Sequence, residues 1–308
     1  MIAKILRAFA LGIALGVVAV SGARSEPEVR AFATPEAAVQ GLIVALKAPT
    51  LDPLMAIFDR DVLDSIPPEE RRSDAARRAA GERLAKEPVT IVYGDDSHTT
   101  ARAIVGKENF PLPIPLVKNN AGWIFDGKVG VAEMNQQRIG VNEANAIRAL
   151  HALAGAQDTY RERDSDGDGI LQYAQRIRGT EGRLDGLVNE GSDVPGPTTA
   201  LLNDAFARAE GKPGDPDHHP VGGYGYAILT EQGPHAEGGA HSYLLDGHMR
   251  DGYAVIAWPT RPGQTGESTF IMNQSGDIYE REFGEQTLQA VRQITAFDPD
   301  ENWSPVEE

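Results

Sequence analysis

The sequence changes twice from helical periodicity to short β-prone segments, and this order limits the fold classes open to the chain. Thr34 stands before Pro35, a helix-start signal, and apolar residues then recur at three- and four-residue spacing over residues 35–47. Four β-prone runs follow between residues 90 and 126, separated by Gly, Asp, Asn and Pro. Helices followed by an antiparallel sheet predict an α+β unit over residues 26–138.

The first unit has two further features that bear on its fold. Residues 69–86 are rich in Arg, Ala and Glu and contain few large apolar residues, so we expect a helix whose arginines form a solvated face. Residues 119–122, Asn-Asn-Ala-Gly, predict a hairpin turn. Helices against a curled antiparallel sheet resemble the cone-shaped domains similar to nuclear transport factor 2. That resemblance implies an architecture and no activity.

The second half repeats the same order. Asn142 predicts the start of a long helix that ends near Arg161, because apolar residues recur on one side between them. β-prone runs follow at residues 223–230, 242–245, 253–258, 269–273 and 278–282, with a tight turn at 275–276 and a closing helix at 285–295. We therefore predict a second α+β unit over residues 139–308, in which the long helix packs on an antiparallel sheet.

The N-terminus, residues 1–25, has the pattern of a secretory signal peptide. Two basic residues precede an apolar run of 13 residues at 8–20, and small residues follow it. A membrane-spanning helix needs about 20 residues, so the run is short for an anchor. We expect cleavage after Ala23, with Ser25 as the second choice, and a periplasmic or secreted protein with no transmembrane segment after cleavage. An uncleaved N-terminal anchor is the alternative.

Composition excludes several classes of site. The chain contains no cysteine, which excludes disulfides, thiolate metal sites, a cysteine nucleophile and a lipoprotein cysteine. Without residues 1–23, whose only charged residues are Lys4 and Arg7, the net charge falls from −16 to −18. Phosphate binding needs clustered Lys and Arg, so we expect no nucleic-acid partner and no anionic-lipid partner.

Residues 164–175 carry the most specific chemical motif in the chain. Three aspartates at alternate positions precede a glycine, which is the first half of a D-x-D-x-D-G calcium loop. Calcium takes about six to eight oxygen ligands, and a tightly turning loop can aim alternate residues at one centre. The twelfth position, usually a bidentate Glu, is a Gln in this chain. The predicted ligands are Asp164, Asp166, Asp168, the backbone carbonyl of Ile170, and Gln175. The alternative is a solvated turn that ends the long helix.

Other constellations lack the spacing that their chemistry requires. The loop histidines have no ordered zinc-type spacing, so we expect them to be surface residues; they are His218, His219, His235, His241 and His248. The sequence also lacks a nucleophile elbow, a Walker loop and a complete G-x-G-x-x-G motif.

An ordered set of motifs along the chain is similar to the pattern of a known protein family. The motifs are residues 32–38, 111–118 with Gly122 and Trp123, Asn142 with Glu143, 164–173, 233–234, 257–259, 263–270 and 297–299. Over nearly all of the mature chain they resemble the uncharacterised bacterial exported family catalogued as domain of unknown function 2950. The resemblance implies a signal peptide, an envelope location and no established activity.

The second half has a narrower resemblance to the globular heads of pilin-like and pseudopilin-like proteins. Residues 142–173, 223–229, 254–266 and 270–278 carry it. In such heads a helix leads through an acidic glycine loop into a small sheet, and some of them bind calcium. This chain lacks the long hydrophobic stem of a filament subunit, so the resemblance implies a soluble relative that contacts such an assembly.

These patterns predict an exported, non-enzymatic interaction or scaffold protein of the envelope with a structural calcium site. Its expected partner is another envelope or pilus-type protein. Two alternatives stay open. One is a hydrolase whose site lies in a cleft between the units, lined by several of Glu231, His235, His241 and Asp246. The other is a small-ligand-binding protein in which Ile91, Tyr93 and Ile104 line an apolar pocket.

Overall fold

The computed structural model describes residues 29–58, 62, 74–94, 96–164, 167–180, 185–188 and 222–307. Over these ranges the protein is α+β, with a few helices, one long helix and open antiparallel sheets, and this prediction is confirmed. The chain divides into two compact units, Met1–Met134 and Asn135–Glu308. The predicted signal peptide lies outside the described residues.

The first helix of the first unit begins at the predicted proline. The described helices of this unit are α1 (Pro35–Lys47), α2 (Asp52–Met55) and α3 (Asp74–Leu84). The Thr34 hydroxyl accepts the Ala37 N–H at 3.2 Å, which satisfies one of the unpaired donors at the start of α1. The apolar stripe of α1 is buried, including Val39, Leu42 and Leu46. The spacing that predicts this helix is therefore also the spacing that forms the core.

The first unit's sheet is antiparallel throughout. Its strands are β1 (Val89–Tyr93), β2 (Thr100–Val105), β3 (Phe110–Pro111), β4 (Leu116–Asn119) and β5 (Gly122–Phe125). Their order is β1-β2-β4-β5, and β3 pairs with β2. The predicted turn between β4 and β5 is present, because the Asn119 side chain accepts the N–H groups of Ala121 and Gly122. Gly122 has a φ of 133°, which glycine adopts without strain.

Arg77 contradicts the expected solvated arginine face of α3. Its side chain is only 1% exposed. The guanidinium donates to the carbonyl oxygens of Ala45 and Leu46 at 3.3 and 2.8 Å, at the C-terminal end of α1. The last carbonyls of a helix have no partner within it. Arg77 satisfies two of them from the neighbouring helix, so one arginine of α3 is a core residue, while Arg78 is exposed.

The long helix starts earlier than its sequence signal. Helix α4 runs from Gly127 to Arg161, so the predicted start at Asn142 is wrong. The predicted unit boundary at 138/139 and the observed one at 134/135 both lie within this helix. The helix is capped by Asp126, whose carboxylate accepts the Val129 N–H at 3.1 Å. The Asn142 amide instead donates to the carbonyl of Thr265 at 2.9 Å, a partner far along the chain.

Glu143, next to Asn142, also bonds to the backbone at residues 267–268. Its carboxylate accepts the N–H groups of Glu267 and Ser268 at 2.8 and 3.1 Å. A polar pair that is typical of a helix start therefore serves a tertiary contact in the middle of α4. Such a contact cannot be recognised from local spacing.

The second unit contains one larger sheet and two small ones. The strands of the larger sheet are β6 (Tyr224–Leu229), β11 (Ala254–Pro259), β12 (Ser268–Asn273), β13 (Ile278–Glu282) and β14 (Ser304–Pro305). Their order is β14-β13-β12-β11-β6, antiparallel throughout. The small pairs are β7 (Glu231–Gln232) with β8 (His241–Ser242), and β9 (Leu244–Leu245) with β10 (His248–Met249). In place of the predicted closing helix at 285–295 there is a 3₁₀ turn, Gly284–Gln286, and a short α5, Thr287–Val291.

The core of the second unit joins α4 to this sheet. Leu150 and Leu153 of α4 belong to the same buried cluster as Tyr226, Trp258 and Phe270 of the strands. The predicted tight turn between β12 and β13 is present, with Gly276 at a φ of 87°. The predicted packing of a long helix on an antiparallel sheet is confirmed.

The strand register contradicts the apolar pocket that the ligand-binding alternative requires in the first unit. Ile91 pairs with Ala103, whereas Ile104 pairs with Thr90. Directly paired residues share a face of an antiparallel sheet, and faces alternate along a strand. Ile91 and Tyr93 therefore share one face and Ile104 lies on the other. The three side chains cannot line a common pocket.

Candidate functional site

The acidic loop follows directly after α4 and folds around the first of its aspartates. One oxygen of Asp164 accepts the Gly167 N–H at 2.8 Å, and the other accepts the Gly169 N–H at 2.9 Å. Both glycines have positive φ angles, 77° and 85°, which few other residues adopt without strain. The alternation of Asp and Gly therefore produces a closed loop, in agreement with the tight turn that the motif predicts.

Asp168 connects this loop to a more distant strand. One of its oxygens accepts the Ile170 N–H at 2.8 Å. The other accepts the Gln172 amide at 3.1 Å and lies 3.2 Å from Nδ1 of His248, in β10. Asp168 is thus shared between the acidic loop and the β9–β10 hairpin.

The hairpin turn consists of Asp246 and Gly247, with φ angles of 53° and 85°. Three hydrogen bonds join the acidic segment to this hairpin. The Tyr173 N–H donates to the Met249 carbonyl at 2.7 Å, the Met249 N–H donates to Gln172 at 3.2 Å, and the Gln175 amide donates to the Gly247 carbonyl at 2.7 Å. We call residues 164, 167–175 and Leu244–Met249 together the loop–hairpin platform.

Helix α4 anchors the platform through a buried glutamine, Gln157. The Gln157 amide donates to the Ala174 carbonyl at 2.9 Å and accepts the Ala174 N–H at 2.8 Å. The Gln157 side chain is fully buried. Arg161 adds a second contact, since its guanidinium donates to the Tyr173 hydroxyl at 2.6 Å and lies 4.6 Å from the centre of that ring. The loop is therefore fixed at both its helix side and its hairpin side.

Four of the five predicted calcium ligands lie among the described residues. Asp164 and Asp168 lie in the same closed loop, and Asp166 lies outside the described residues. The Ile170 N–H is bonded to Asp168, and the amide of Gln175 is directed at the hairpin. Among the described residues, no group of three or more His, Cys, Asp or Glu side chains is gathered as a metal site would require.

The donor set nevertheless has the chemistry that calcium prefers. A carboxylate offers about four lone-pair sites, and Asp164 uses two of them for loop N–H groups. Asp168 keeps acceptor capacity on the oxygen that, among the described residues, accepts the Ile170 N–H alone. Hard oxygen ligands of this kind suit calcium better than softer metals. The described residues are compatible with the ion, although the twelfth-position side chain makes its described contact with the hairpin.

The three loop histidines that the structure describes each face an aspartate. Besides His248 with Asp168, Nδ1 of His235 lies 3.0 Å from Asp298, whose oxygen also accepts the His235 N–H at 2.9 Å. A Cβ at Gly233 would collide with that carboxylate, which explains the glycine before Pro234. His218 and His219 lie outside the described residues. Sequence reasoning missed these pairs because the partners are far apart along the chain.

The residues named for a hydrolase do not form a single cluster. His241 lies 3.7 Å from Asp251, His235 faces Asp298, and Asp246 occupies the hairpin turn. Glu231 belongs to β7. Since no three His, Asp or Glu side chains are gathered within the described ranges, these groups make separate local contacts.

Among the described residues of the second unit, the largest pKa shifts belong to buried tyrosines. Burial raises the pKa of Tyr243 to about 12, and its hydroxyl donates to Gln232 at 3.0 Å. Burial also raises the pKa values of Tyr224, Tyr226 and Tyr253. These hydroxyls stay neutral because they lie in the core, so their shifts are features of the fold.

Comparison with known proteins gives a family and no activity. Neither a curated protein nor a solved structure matches the chain. In the part of the chain that the structure describes, no helix combines the length and apolar character needed to cross a membrane. Residues 29–306 match the family described as protein of unknown function (DUF2950), and the chain belongs to that family.

Proposed function

We propose that this protein is an exported, non-catalytic interaction or scaffold protein of the cell envelope, and that calcium stabilises its loop–hairpin platform. The family match begins at residue 29, directly after the segment with the signal-peptide pattern. Export places the chain where calcium reaches millimolar concentrations, so that even weak sites are occupied. The protein purified from such a compartment should begin at Arg24 or Glu26, which N-terminal sequencing determines; a chain that retains residue 1 contradicts export with cleavage.

One observation carries the calcium part of the proposal. Asp164 and Asp168 lie in one closed loop, and Asp168 is also bonded across to the β9–β10 hairpin. The ion would be held by these two carboxylates with Asp166 and the Ile170 carbonyl. It would neutralise the clustered negative charge and hold the loop in its closed form. Because loop and hairpin share hydrogen bonds, a stabilised loop also stabilises the hairpin.

The interaction part rests on what the platform exposes. The side chains of Leu171 and Leu245 are 55% and 45% exposed, and both belong to the platform. The backbone next to them is held by the hydrogen bonds of Tyr173 and Gln175 to the hairpin. Apolar side chains on an ordered backbone bind partners at a lower entropic cost than side chains on a mobile loop. A pilus-type or other envelope protein with an apolar patch is the partner that this surface fits.

The experiment is thermal unfolding of residues 26–308 in calcium and in chelator. A ligand that binds only the folded state stabilises it by about 2.7 kcal/mol at one hundred times its dissociation constant. For a chain of this size we expect the midpoint to rise by roughly 5–10 °C. The calcium-dependent rise should disappear in Asp164→Ala.

The matched control is Asp277→Asn, which removes one negative charge from an exposed turn of the same unit. This variant should keep the full response to calcium. The readout is the difference between calcium and chelator, because Asp164→Ala also removes two loop hydrogen bonds and lowers the midpoint in both solutions. A wild-type protein whose midpoint is the same in calcium and chelator would refute the calcium site.

A further inference from the structure

The sequence contains two triplets of the form Asn-x-Ser, and both lie in the second unit. They are Asn273-Gln274-Ser275 and Asn302-Trp303-Ser304. Such a triplet, with any middle residue except proline, is the acceptor pattern for asparagine-linked glycans in exported proteins. A glycan is a bulky, polar group that requires a surface position. The exposure of each asparagine therefore decides which triplet can carry one.

The asparagine of the first triplet is buried. Asn273 is the last residue of β12 and is only 7% exposed. Its amide oxygen accepts the N–H and the hydroxyl of Ser275 at 3.1 and 2.6 Å. These bonds hold the turn between β12 and β13. A glycan on Asn273 has no room in the folded protein, so this triplet serves the fold.

The second triplet lies on the surface, in the segment that leads into β14. Asn302 and Ser304 are exposed, whereas Trp303 is partly buried and packs on the core cluster of the second unit. The Trp303 ring lies 5.9 Å from the ring of Phe283 in an edge-on arrangement. The acceptor pattern specifies the asparagine and the serine and leaves the middle residue open. The two specified residues are therefore accessible, and the middle residue anchors the segment to the fold.

Asp300 orders the turn that carries Asn302. One of its carboxylate oxygens accepts the Asn302 backbone N–H at 2.9 Å and the Asn302 amide at 3.1 Å. A side-chain amide has two N–H groups, and this bond uses one of them. After the triplet's tryptophan the chain enters β14, where Ser304 pairs with Glu280 of β13. The triplet therefore has a defined conformation on both sides of the tryptophan.

We propose that Asn302 accepts an asparagine-linked glycan. The inference rests on the export proposed above, because the acceptor pattern applies to exported proteins. In the transfer, the amide nitrogen of Asn302 bonds to the anomeric carbon of the sugar. The bond from that carbon to the diphosphate of a lipid-linked donor breaks, and one amide proton passes to a base of the transferase. The donor is thus a lipid-linked glycosyl diphosphate, and the other product is the lipid diphosphate.

A glycan on Asn302 lies beside the end strand of the larger sheet. Within the described ranges β14 pairs with β13 alone. End strands are protected against pairing with other chains by proline, by charge or by a cover, and Pro305 already lies in β14. A bulky polar glycan next to this strand adds a cover. The modification uses no residue of the loop–hairpin platform, so it is independent of the calcium site.

The experiment is glycan transfer to purified residues 26–308 by a bacterial oligosaccharyltransferase with its lipid-linked donor. A synthetic peptide of residues 298–307 in a parallel reaction shows whether the enzyme recognises the triplet without the fold. We expect the intact mass of the chain and of the peptide to rise by one glycan, and peptide mapping to place the glycan on Asn302. Transfer to the peptide alone, or to neither, overturns the proposal.

A matched pair of variants tests which triplet is used. Ser304→Ala removes the hydroxyl that the pattern requires and should abolish the transfer. Ser275→Ala removes the same group from the first triplet and should accept the glycan as the wild type does. Circular dichroism confirms that each variant is folded. Equal transfer to the two variants contradicts the assignment to Asn302.

The protein purified from the envelope of the cells that produce it separates this proposal from export. N-terminal sequencing shows whether the signal segment is removed, and the intact mass shows whether a glycan is present. A chain that begins at Arg24 or Glu26 and carries a glycan on Asn302 supports both proposals. A processed chain without a glycan overturns the glycan site and leaves export in place. A glycan-free chain that retains residue 1 contradicts both.

Discussion

Buried polar side chains stabilise loops that disulfides hold in many other proteins. The chain has no cysteine, and amides take over part of that role. The Gln232 amide donates to the carbonyls of Glu237 and Gly239 at 2.7 Å each and accepts the Tyr243 hydroxyl. An amide can donate and accept at once, so a single buried side chain can satisfy several backbone groups. At the residue scale, stability therefore depends on a few buried polar groups as well as on apolar packing.

Arg77 is the residue for which we predict the largest single effect in the first unit. Arg77→Ala removes a fully buried side chain, leaves the Leu46 carbonyl without its donor, and leaves the Ala45 carbonyl with the Ala48 N–H at 3.3 Å. We expect the free energy of unfolding to fall by about 3–5 kcal/mol, measured by urea denaturation. Arg78→Ala is the control, because Arg78 is exposed on the same helix; its effect should stay within about 0.5 kcal/mol. Equal effects of the two substitutions would contradict the assigned role.

At the scale of elements, sequence patterns predict those helix starts and hairpin turns that depend on contacts between residues close together in the chain. Thr34 and Pro35 start α1, and Asn119 with Gly122 closes the β4–β5 hairpin. The predicted start of α4 was wrong because Asn142 has the chemistry of a helix cap but bonds to a loop far along the chain. The spacing of residues along the sequence indicates contacts between near neighbours. It does not indicate a contact between residues as far apart as Asn142 and Thr265.

The same distinction applies to the candidate site. The spacing of Asp164 and Asp168 predicted a tight acidic loop, and these residues do form one. The bonds from Gln172 and Gln175 to the hairpin, and the approach of His248 to Asp168, join segments that the sequence does not connect. The coupling of loop to hairpin is therefore a finding of the structure.

The link between α4 and the loop gives a prediction at this scale. Gln157→Leu keeps the size of the side chain but leaves the N–H and C=O of Ala174 buried and unpaired. We expect a loss of about 2–4 kcal/mol in the free energy of unfolding, and faster hydrogen exchange at the Ala174 amide. Asp158→Ala is the control, since Asp158 is the exposed neighbour on α4. If Gln157→Leu left exchange at Ala174 unchanged, the glutamine would not be the anchor.

At the scale of the whole molecule, the buried tyrosines of the second unit lower the stability of the fold at high pH. Burial raises the pKa of Tyr243 to about 12, and raises the pKa values of Tyr224, Tyr226 and Tyr253 above the ordinary value as well. Below the ordinary tyrosine pKa of about 10, folded and unfolded chains are both protonated and pH has no effect through these groups. Above it, the unfolded chain releases protons that the folded chain retains.

The free energy of unfolding should therefore fall as pH rises above about 10, by up to about 1.4 kcal/mol per pH unit for each tyrosine. These four are half of the chain's eight tyrosines. Their share of the phenolate absorbance should appear together with the loss of circular dichroism, because ionisation of these groups requires unfolding. In Tyr253→Phe, one proton fewer is released on unfolding above about pH 10, so the free energy of unfolding should fall less steeply with pH. Phenolate that titrates fully in a chain that is still folded would contradict the burial of these hydroxyls.

The central claim is that calcium binds the acidic loop and orders the hairpin through the bonds that join them. Hydrogen–deuterium exchange of residues 26–308, in calcium and in chelator, tests it most directly. We predict slower exchange in calcium at the Gly167 and Gly169 amides and also at the Met249 amide, which donates to Gln172. Exchange that is the same in both solutions at the loop and at the hairpin would contradict the claim.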